Sequence, residues 1–253
     1  MKKITLLVSC LLNVLIAQGQ YNETIRSGRP GRAIGPFAVG KQVIQVQTGY
    51  EFESLNDLQE VHGQATTIRV GLTELFEVNT AFNWTLDKFK ERDTQPATTT
   101  QGIDSWSIGF RYDFFQGENL IPTIGIQTTL KMNHLVTEAY RANFVAPRIL
   151  LITNQRLSKK IGFTTNWELN WSGIDGTPKE AYVVTLNYGI NKKLGVFIEN
   201  YGSFSQAYFD AGLSYLFTKH IQWDIFGGRS IFNPSTNEYF ISTGISFRLV
   251  PAS

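Results

Sequence analysis

The chain has 253 residues, 42% of them hydrophobic and 13% aromatic, with a formal net charge of +2. That length suits one large domain, and no shift in composition marks a boundary inside it. The balanced charge speaks against a nucleic-acid partner, and a lone cysteine, Cys10, excludes a disulfide framework and a cysteine metal site.

The N-terminus carries Lys2 and Lys3, then an apolar run from Ile4 to Ala17, then the small-residue pattern Ala17-Gln18-Gly19. This predicts a secretory signal peptide over residues 1–19, cut before Gln20. The stretch Leu7-Val8-Ser9-Cys10 also resembles a lipoprotein cleavage box, but apolar sequence continues beyond it, which favours the ordinary signal peptide. No later run of eighteen apolar residues exists, so no transmembrane helix is expected.

Residues 20–41 hold Gly, Pro and Arg without periodicity and are expected to be irregular. Arg26, Arg29 and Arg32 within them could fold into a barrel lumen as a plug and pair with acids such as Glu51, Glu77 or Asp224. The alternative is a frayed tail.

From there on, apolar and polar residues alternate with little interruption. The segment IGFTTNWELNW, residues 161–171, places Ile161, Phe163, Thr165, Trp167, Leu169 and Trp171 on one parity and Gly162, Thr164, Asn166, Glu168 and Asn170 on the other. Period two means an extended strand with one apolar and one polar face. Strands are expected at 42–52, 64–73, 76–86, 105–114, 120–131, 144–156, 161–171, 180–190, 194–204, 207–217, 221–229 and 239–249. The spacers alternate between short polar turns (74–75, 115–119, 157–160, 191–193, 218–220) and mostly longer loops (53–63, 87–104, 132–143, 172–179, 230–238). That rhythm is the one of an all-β, up-and-down antiparallel transmembrane β-barrel of about 12 strands over residues 42–253. Ten or eleven residues at about 3.3 Å each, tilted by about 40°, climb roughly 25 Å, a membrane's apolar thickness.

The apolar parities include Ile44, Val46, Thr48, Tyr50 and Phe52 in the first strand and Trp106, Ile108, Phe110, Tyr112 and Phe114 in the fourth; neither face carries a charge. The opposite parity holds Glu51, Arg69, Glu77, Arg111, Asp113, Lys131, Arg148, Arg156, Glu168, Glu199, Asp210, Asp224 and Arg248, spaced by Gly, Ser, Asn and Gln. Near-balanced Arg and carboxylates suit a confined lumen, where they pair across strands. Glu51, Arg69, Glu77, Arg111, Asp113, Arg148, Glu168, Glu199, Asp210, Asp224 and Arg248 are therefore the candidate lining of a solute path, each of them also able to serve as a purely structural cross-strand partner.

No catalytic constellation emerges. His62 and His134 fall in expected loops at one rim and His220 in a turn at the other, and none has a serine two residues on. No metal-ligand spacing, phosphate loop or nucleotide motif is present, so neither cofactor nor catalysis is expected.

Several short motifs resemble a bacterial outer-membrane family named for its association with the meta-cleavage pathway of phenol degradation. Arg29-Pro30 followed by Pro36, Gly40, Gln45 and Gly49 is similar to its N-terminal signature. The stretch 68–73 with Phe76, Glu77 and Val78 resembles its second conserved hairpin, and 221–225 with Gly227 and Gly228 its "Q-x-D…G" strand. The chain departs from the family at Gly28, where Asp is usual, and at Glu74-Leu75, where the turn is usually more polar. The resemblance implies an outer-membrane transporter for small solutes, hydrophobic or aromatic ones among them. The strand 239–249 also resembles the C-terminal insertion signal read by the barrel-assembly machinery, although residues 250–253 follow it where an aromatic terminus is usual. The expected role is passive diffusion of a small-molecule solute through a charge-lined lumen, with outer-membrane lipid as surroundings; the alternative is a non-conducting barrel that binds through its loops or serves structurally.

Overall fold

A computed structural model of the chain describes residues 24–55, 59–90, 96–174, 176–230 and 238–250. The expected signal peptide lies outside these residues. Twelve strands follow in order: β1 (Ile44–Ser54), β2 (Gln59–Gly71), β3 (Phe76–Phe89), β4 (Thr98–Phe115), β5 (Thr123–Lys131), β6 (Pro147–Arg156), β7 (Ile161–Trp171), β8 (Pro178–Gly189), β9 (Leu194–Gly202), β10 (Ala207–Thr218), β11 (Ile221–Ser230) and β12 (Tyr239–Leu249). Each pairs antiparallel with its chain neighbour, and β1 pairs with β12 to close the barrel. The closing ladder runs from Ile44 opposite Leu249 to Ser54 opposite Tyr239.

The turns at the rim shared by both ends of the barrel are built by local side-chain acceptors. Thr73 Oγ1 accepts the N–H groups of Leu75 and Phe76. Ser158 Oγ does the same for Lys160 and Ile161, and Asn191 Oδ1 for Lys193 and Leu194. In each, a short polar side chain mimics a backbone carbonyl and fixes a four-residue reversal.

Several boundaries differ from the expectation. The first strand starts at Ile44, because residues 42 and 43 still bridge to Gly71 and Gly40. The fifth starts at Thr123, because Pro122 has no N–H to give a ladder and residues 118–121 form a turn. At the opposite rim, residues assigned to loops continue as strand: β2 reaches back to Gln59, β3 runs on to Phe89, and β4, with 18 residues, begins at Thr98. His62 is consequently a strand residue, bonded through Nδ1 to Tyr50 Oη at 2.6 Å. Alternation fades there because both faces meet water, yet the hydrogen-bond ladder does not need alternation to persist.

The burial pattern is inverted relative to a soluble protein. Outward side chains such as Ile108 (54% exposed), Tyr50 and Trp167 are uncovered, while the inward Glu77, Asp210 and Asp224 are 0% exposed. Large apolar groups are stable on an outer surface only when that surface meets hydrocarbon. The polar interior has apolar exceptions: Leu150 and Ile152 on β6, Val183 on β8, and Phe197, Phe226 and Phe240 on β9, β11 and β12 all point inward and are buried. The rings of Phe226 and Phe240 are met there by arginines of the segment that fills the lumen.

Replacing Ile108 by Arg puts a cation in the middle of the apolar belt and should cost about 2–4 kcal/mol. Urea unfolding of refolded protein in lipid vesicles should show this loss, while Thr99→Arg, exposed beyond the belt, leaves the midpoint unchanged.

Candidate functional site: the barrel lumen

Residues 24–43 occupy the lumen rather than hanging outside it. The segment has no regular structure of its own, so each of its N–H and C=O groups must find a partner on the wall. It enters at the terminal rim, where Ile25 N–H donates to the Lys219 carbonyl at 2.9 Å. Gln45 Nε2 and Arg69 Nη1 donate to the Arg26 carbonyl at 3.0 and 3.1 Å. Ser27 Oγ meets Ser246 Oγ at 2.7 Å.

Arg29 then reaches across to β11 and β12. Its Nε donates to Asp224 Oδ1 at 3.2 Å and its Nη2 to Ser242 Oγ at 2.9 Å. The guanidinium lies over Gly49 and Gly244, which face each other across the closing ladder; a Cβ at either would collide with it. Gln222 Nε2 donates to the Arg29 carbonyl at 2.8 Å. At the tip, the N–H groups of Arg32 and Ala33 donate to the two oxygens of Glu199 at 2.6 and 2.9 Å, and Thr185 Oγ1 donates to the same carboxylate at 2.6 Å. Arg32 itself pairs with Glu51 at 2.8 Å.

The descent is read as closely as the ascent. Ile34 exchanges both backbone bonds with the Asn166 amide, at 2.8 and 2.9 Å. Pro36 packs where Gly125 has no side chain. Arg111 Nη1 donates to the Gly35 carbonyl at 3.1 Å and Arg69 Nη2 to that of Phe37 at 2.9 Å. Val39 N–H donates to Glu77 Oε2 at 2.8 Å. Glu77 is held by Arg69 through two bonds, of 2.7 and 2.9 Å, with Arg111 Nε at 3.7 Å.

The inward aromatic rings also serve the segment. Phe226 lies 6.1 Å from Phe197 and 5.6 Å from Phe240, both edge-on. The Arg29 guanidinium stands 5.3 Å from the Phe226 centroid, and that of Arg32 4.9 Å from Phe240 and 5.7 Å from Tyr201. Cation–π contact lets apolar rings face guanidinium groups inside a polar lumen.

The remaining candidates fall as follows. Arg148 pairs with Glu168 at 2.6 Å on adjacent strands. Asp113 accepts from Gln116 Nε2 at 3.2 Å. Asp210 is buried directly opposite Glu199 in the β9–β10 register. Arg248 is buried on the inner face of β12, and the Arg26 guanidinium lies 4.0 Å over the Phe37 ring. Asn166, Ser242 and Gly244 are not among the candidate residues read from the sequence, and Gly49 and Gln222 entered only through the family motifs, though all contact the segment directly. Their polar parity was visible; their contact with residues 27–34 was not, since nothing local announces it. Beside the segment an unfilled cavity of about 540 Å³ remains, bounded by the inner faces of β1–β7.

The family model described as "Putative MetA-pathway of phenol degradation" matches residues 27–249. The chain belongs to this phenol-degradation MetA-pathway family. The match begins inside the lumen segment and ends at the last residue of β12, so in this chain the family's extent takes in the inserted segment as well as the barrel. Among solved structures, the chain is similar to the COG4313 outer membrane channel from Pseudomonas putida F1, with a TM-score of 0.66 at 11% identity over 87% of this chain and 99% of that one. It is also similar to the KdgM porin in complex with disordered oligogalacturonate, with a TM-score of 0.54 at 12% identity over 79% and 98% of the two chains. The NanC porin gives a TM-score of 0.53 at 14% identity over 81% and 100%. At these identities the likeness is one of fold. No functionally curated protein sequence matches the chain.

Glu199 binds the segment's tip through two backbone amides, bonds that are worth about 1.5–3 kcal/mol when the acceptor is charged. In hydrogen exchange, Glu199→Ala should deprotect the Arg32 and Ala33 amides by at least about tenfold, with the Val39 amide, held by Glu77, unchanged.

Proposed function

We propose that this family member is a bacterial outer-membrane channel or transporter that passes small solutes through the barrel lumen, with residues 24–43 acting as a plug that narrows the path. The observation that carries this reading is the combination of an apolar outer face, a charged inner face and space left unfilled beside the inserted segment. The fold shared with channel and porin structures points the same way.

The plug is held by polar contacts that water can replace, which suits an element that must shift to let a solute by. Its tip pair, Arg32 with Glu51, is part-exposed on both sides, and exposed pairs contribute only about 0–1 kcal/mol. The inner residues Arg69, Glu77, Arg111, Asp113, Glu168, Glu199, Asp210 and Arg248 then set the field along the path, as charged rings do in other pores. The family's link to phenol degradation extends the reading to small aromatic solutes. Surrounding lipid and the barrel-assembly machinery are the partners such a barrel requires, and residues 1–19 its export signal.

Planar-bilayer recording of the refolded protein should give narrow ohmic channels. Deleting residues 21–36 should raise single-channel conductance several-fold and speed liposome swelling with phenol and small sugars. Unchanged conductance in a folded deletion variant would remove the plug from the mechanism, and a folded barrel that stays silent in both forms would refute the channel.

A further inference from the structure

We propose that the cavity of about 540 Å³ beside the inserted segment is a binding site for small organic anions, with an aromatic or similarly compact carboxylate as its occupant; the inference rests on the channel reading above and names its solute class. The cavity is lined by six cationic side chains, Arg29, Arg32, Arg69, Arg111, Lys131 and Arg148, and by no Asp or Glu. They approach from two directions. Arg29 and Arg32 project from the inserted segment, while Arg111, Lys131 and Arg148 form a stripe on the inner faces of β4, β5 and β6. The register places Ser107 of β4 opposite Lys131, and Thr129, two residues before Lys131, opposite Arg148.

The carboxylates that neutralise these groups sit in the wall and do not suffice. Arg69 and Arg111 share a single one, Glu77, which gives both its oxygens to Arg69 and leaves Arg111 at 3.7 Å. The Arg111 guanidinium turns instead to neutral acceptors, Gln127 Oε1 at 2.6 and 2.9 Å and the Gly35 carbonyl. Lys131 makes a long contact, 3.5 Å, with the Tyr140 carbonyl, and the acid whose charge it feels, Asp104, does not line the cavity. Arg148 has Glu168, and its side chain remains 36% exposed.

Like charges facing one another across an empty space repel, and low-dielectric walls strengthen the repulsion. A mobile anion between them relieves it, and a carboxylate matches guanidinium geometry through paired N–H donors. Trp171 and Ile34 line the same space and offer apolar contact to the body of the solute. At about 540 Å³ the cavity falls in the range of about 300–1,000 Å³ typical of small-molecule sites.

The test uses the refolded mature chain in detergent and two probes of the same shape, benzoate and neutral benzamide, measured by isothermal titration calorimetry. Benzoate should bind at least about tenfold more tightly at low salt, with the margin shrinking as KCl is raised. Lys131→Gln and Arg148→Gln should each weaken benzoate severalfold and leave benzamide unaffected. In bilayers under a KCl gradient, the reversal potential of the intact channel should show preference for chloride. Equal affinity for the two probes, or preference for potassium, would overturn the anion site while leaving the channel intact. A silent but folded barrel that still prefers benzoate would refute the channel reading and uphold the site.

Discussion

Hydrocarbon offers no partner to a backbone N–H or C=O, so a sheet that enters it must close on itself. Everything else in this molecule follows from that constraint. The unbroken ladder between β1 and β12 removes the edges, and alternation then sends every second side chain to lipid and every other one to the lumen. Charges have only the lumen to occupy, and there they must find one another. Two solutions coexist: pairs within the wall, Arg69 with Glu77 and Arg148 with Glu168, and pairs between wall and inserted segment, Arg29 with Asp224 and Arg32 with Glu51.

The inserted segment is held chiefly by its backbone. Glu77, Glu199, Asn166, Gln45, Gln222, Arg69 and Arg111 all use side chains to satisfy its main-chain groups. This explains how an irregular run rich in Gly and Pro can lie inside the barrel with much of its main chain hydrogen-bonded. It also grades the attachment. Near the root, Val39 hangs from a fully buried carboxylate already locked by Arg69, and a hydrogen bond to a charged acceptor is worth about 1.5–3 kcal/mol. At the tip, the side-chain pair is open to water, and the bonds to Glu199 carry most of the hold. Of the segment's side-chain pairs, Arg32 with Glu51 is the one most open to water, whereas Arg29 holds the fully buried Asp224.

The barrel itself was legible in the sequence because its physics is local. Strict alternation in β7 and β12 marked their ends to the residue, and the rhythm of short turns and longer loops carried the topology. Where both faces of a ladder meet water, as in the outer parts of β2, β3 and β4, alternation vanishes and the strands were read short. The lumen charges could be placed on the inner face from parity alone, and Glu51 and Asp224 do meet Arg32 and Arg29. What parity cannot convey is contact between residues separated by more than a hundred positions. Asn166 beside Ile34, Gln222 beside the Arg29 carbonyl, and the Gly49–Gly244 slot depend on how the segment crosses the lumen. The inward Phe197, Phe226 and Phe240 read as anomalies on a polar face until the arginines above them are known.

The segment does more than reduce the bore. Four acids of the lumen lie along one side, Glu199 on β9, Asp210 on β10, Asp224 on β11 and Glu51 on β1, while Glu77 and Glu168 on the other side are paired with wall arginines. Arg29 and Arg32 lie against this side, neutralise Asp224 and Glu51, and cap Glu199 with two amides. The space left over is bounded by the opposite wall, where bases outnumber the acids bonded to them. In the proposed channel, bore and sign of field would be set by the same residues: with the segment in place the cavity beside it has only basic charged groups in its lining, and without it Glu199, Asp210, Asp224 and Glu51 would face the water directly. In the proposed channel, a solute that displaces the tip must break Arg32 from Glu51; an anion would do so by offering Arg32 a second carboxylate, which would tie recognition of the solute to the opening of its path.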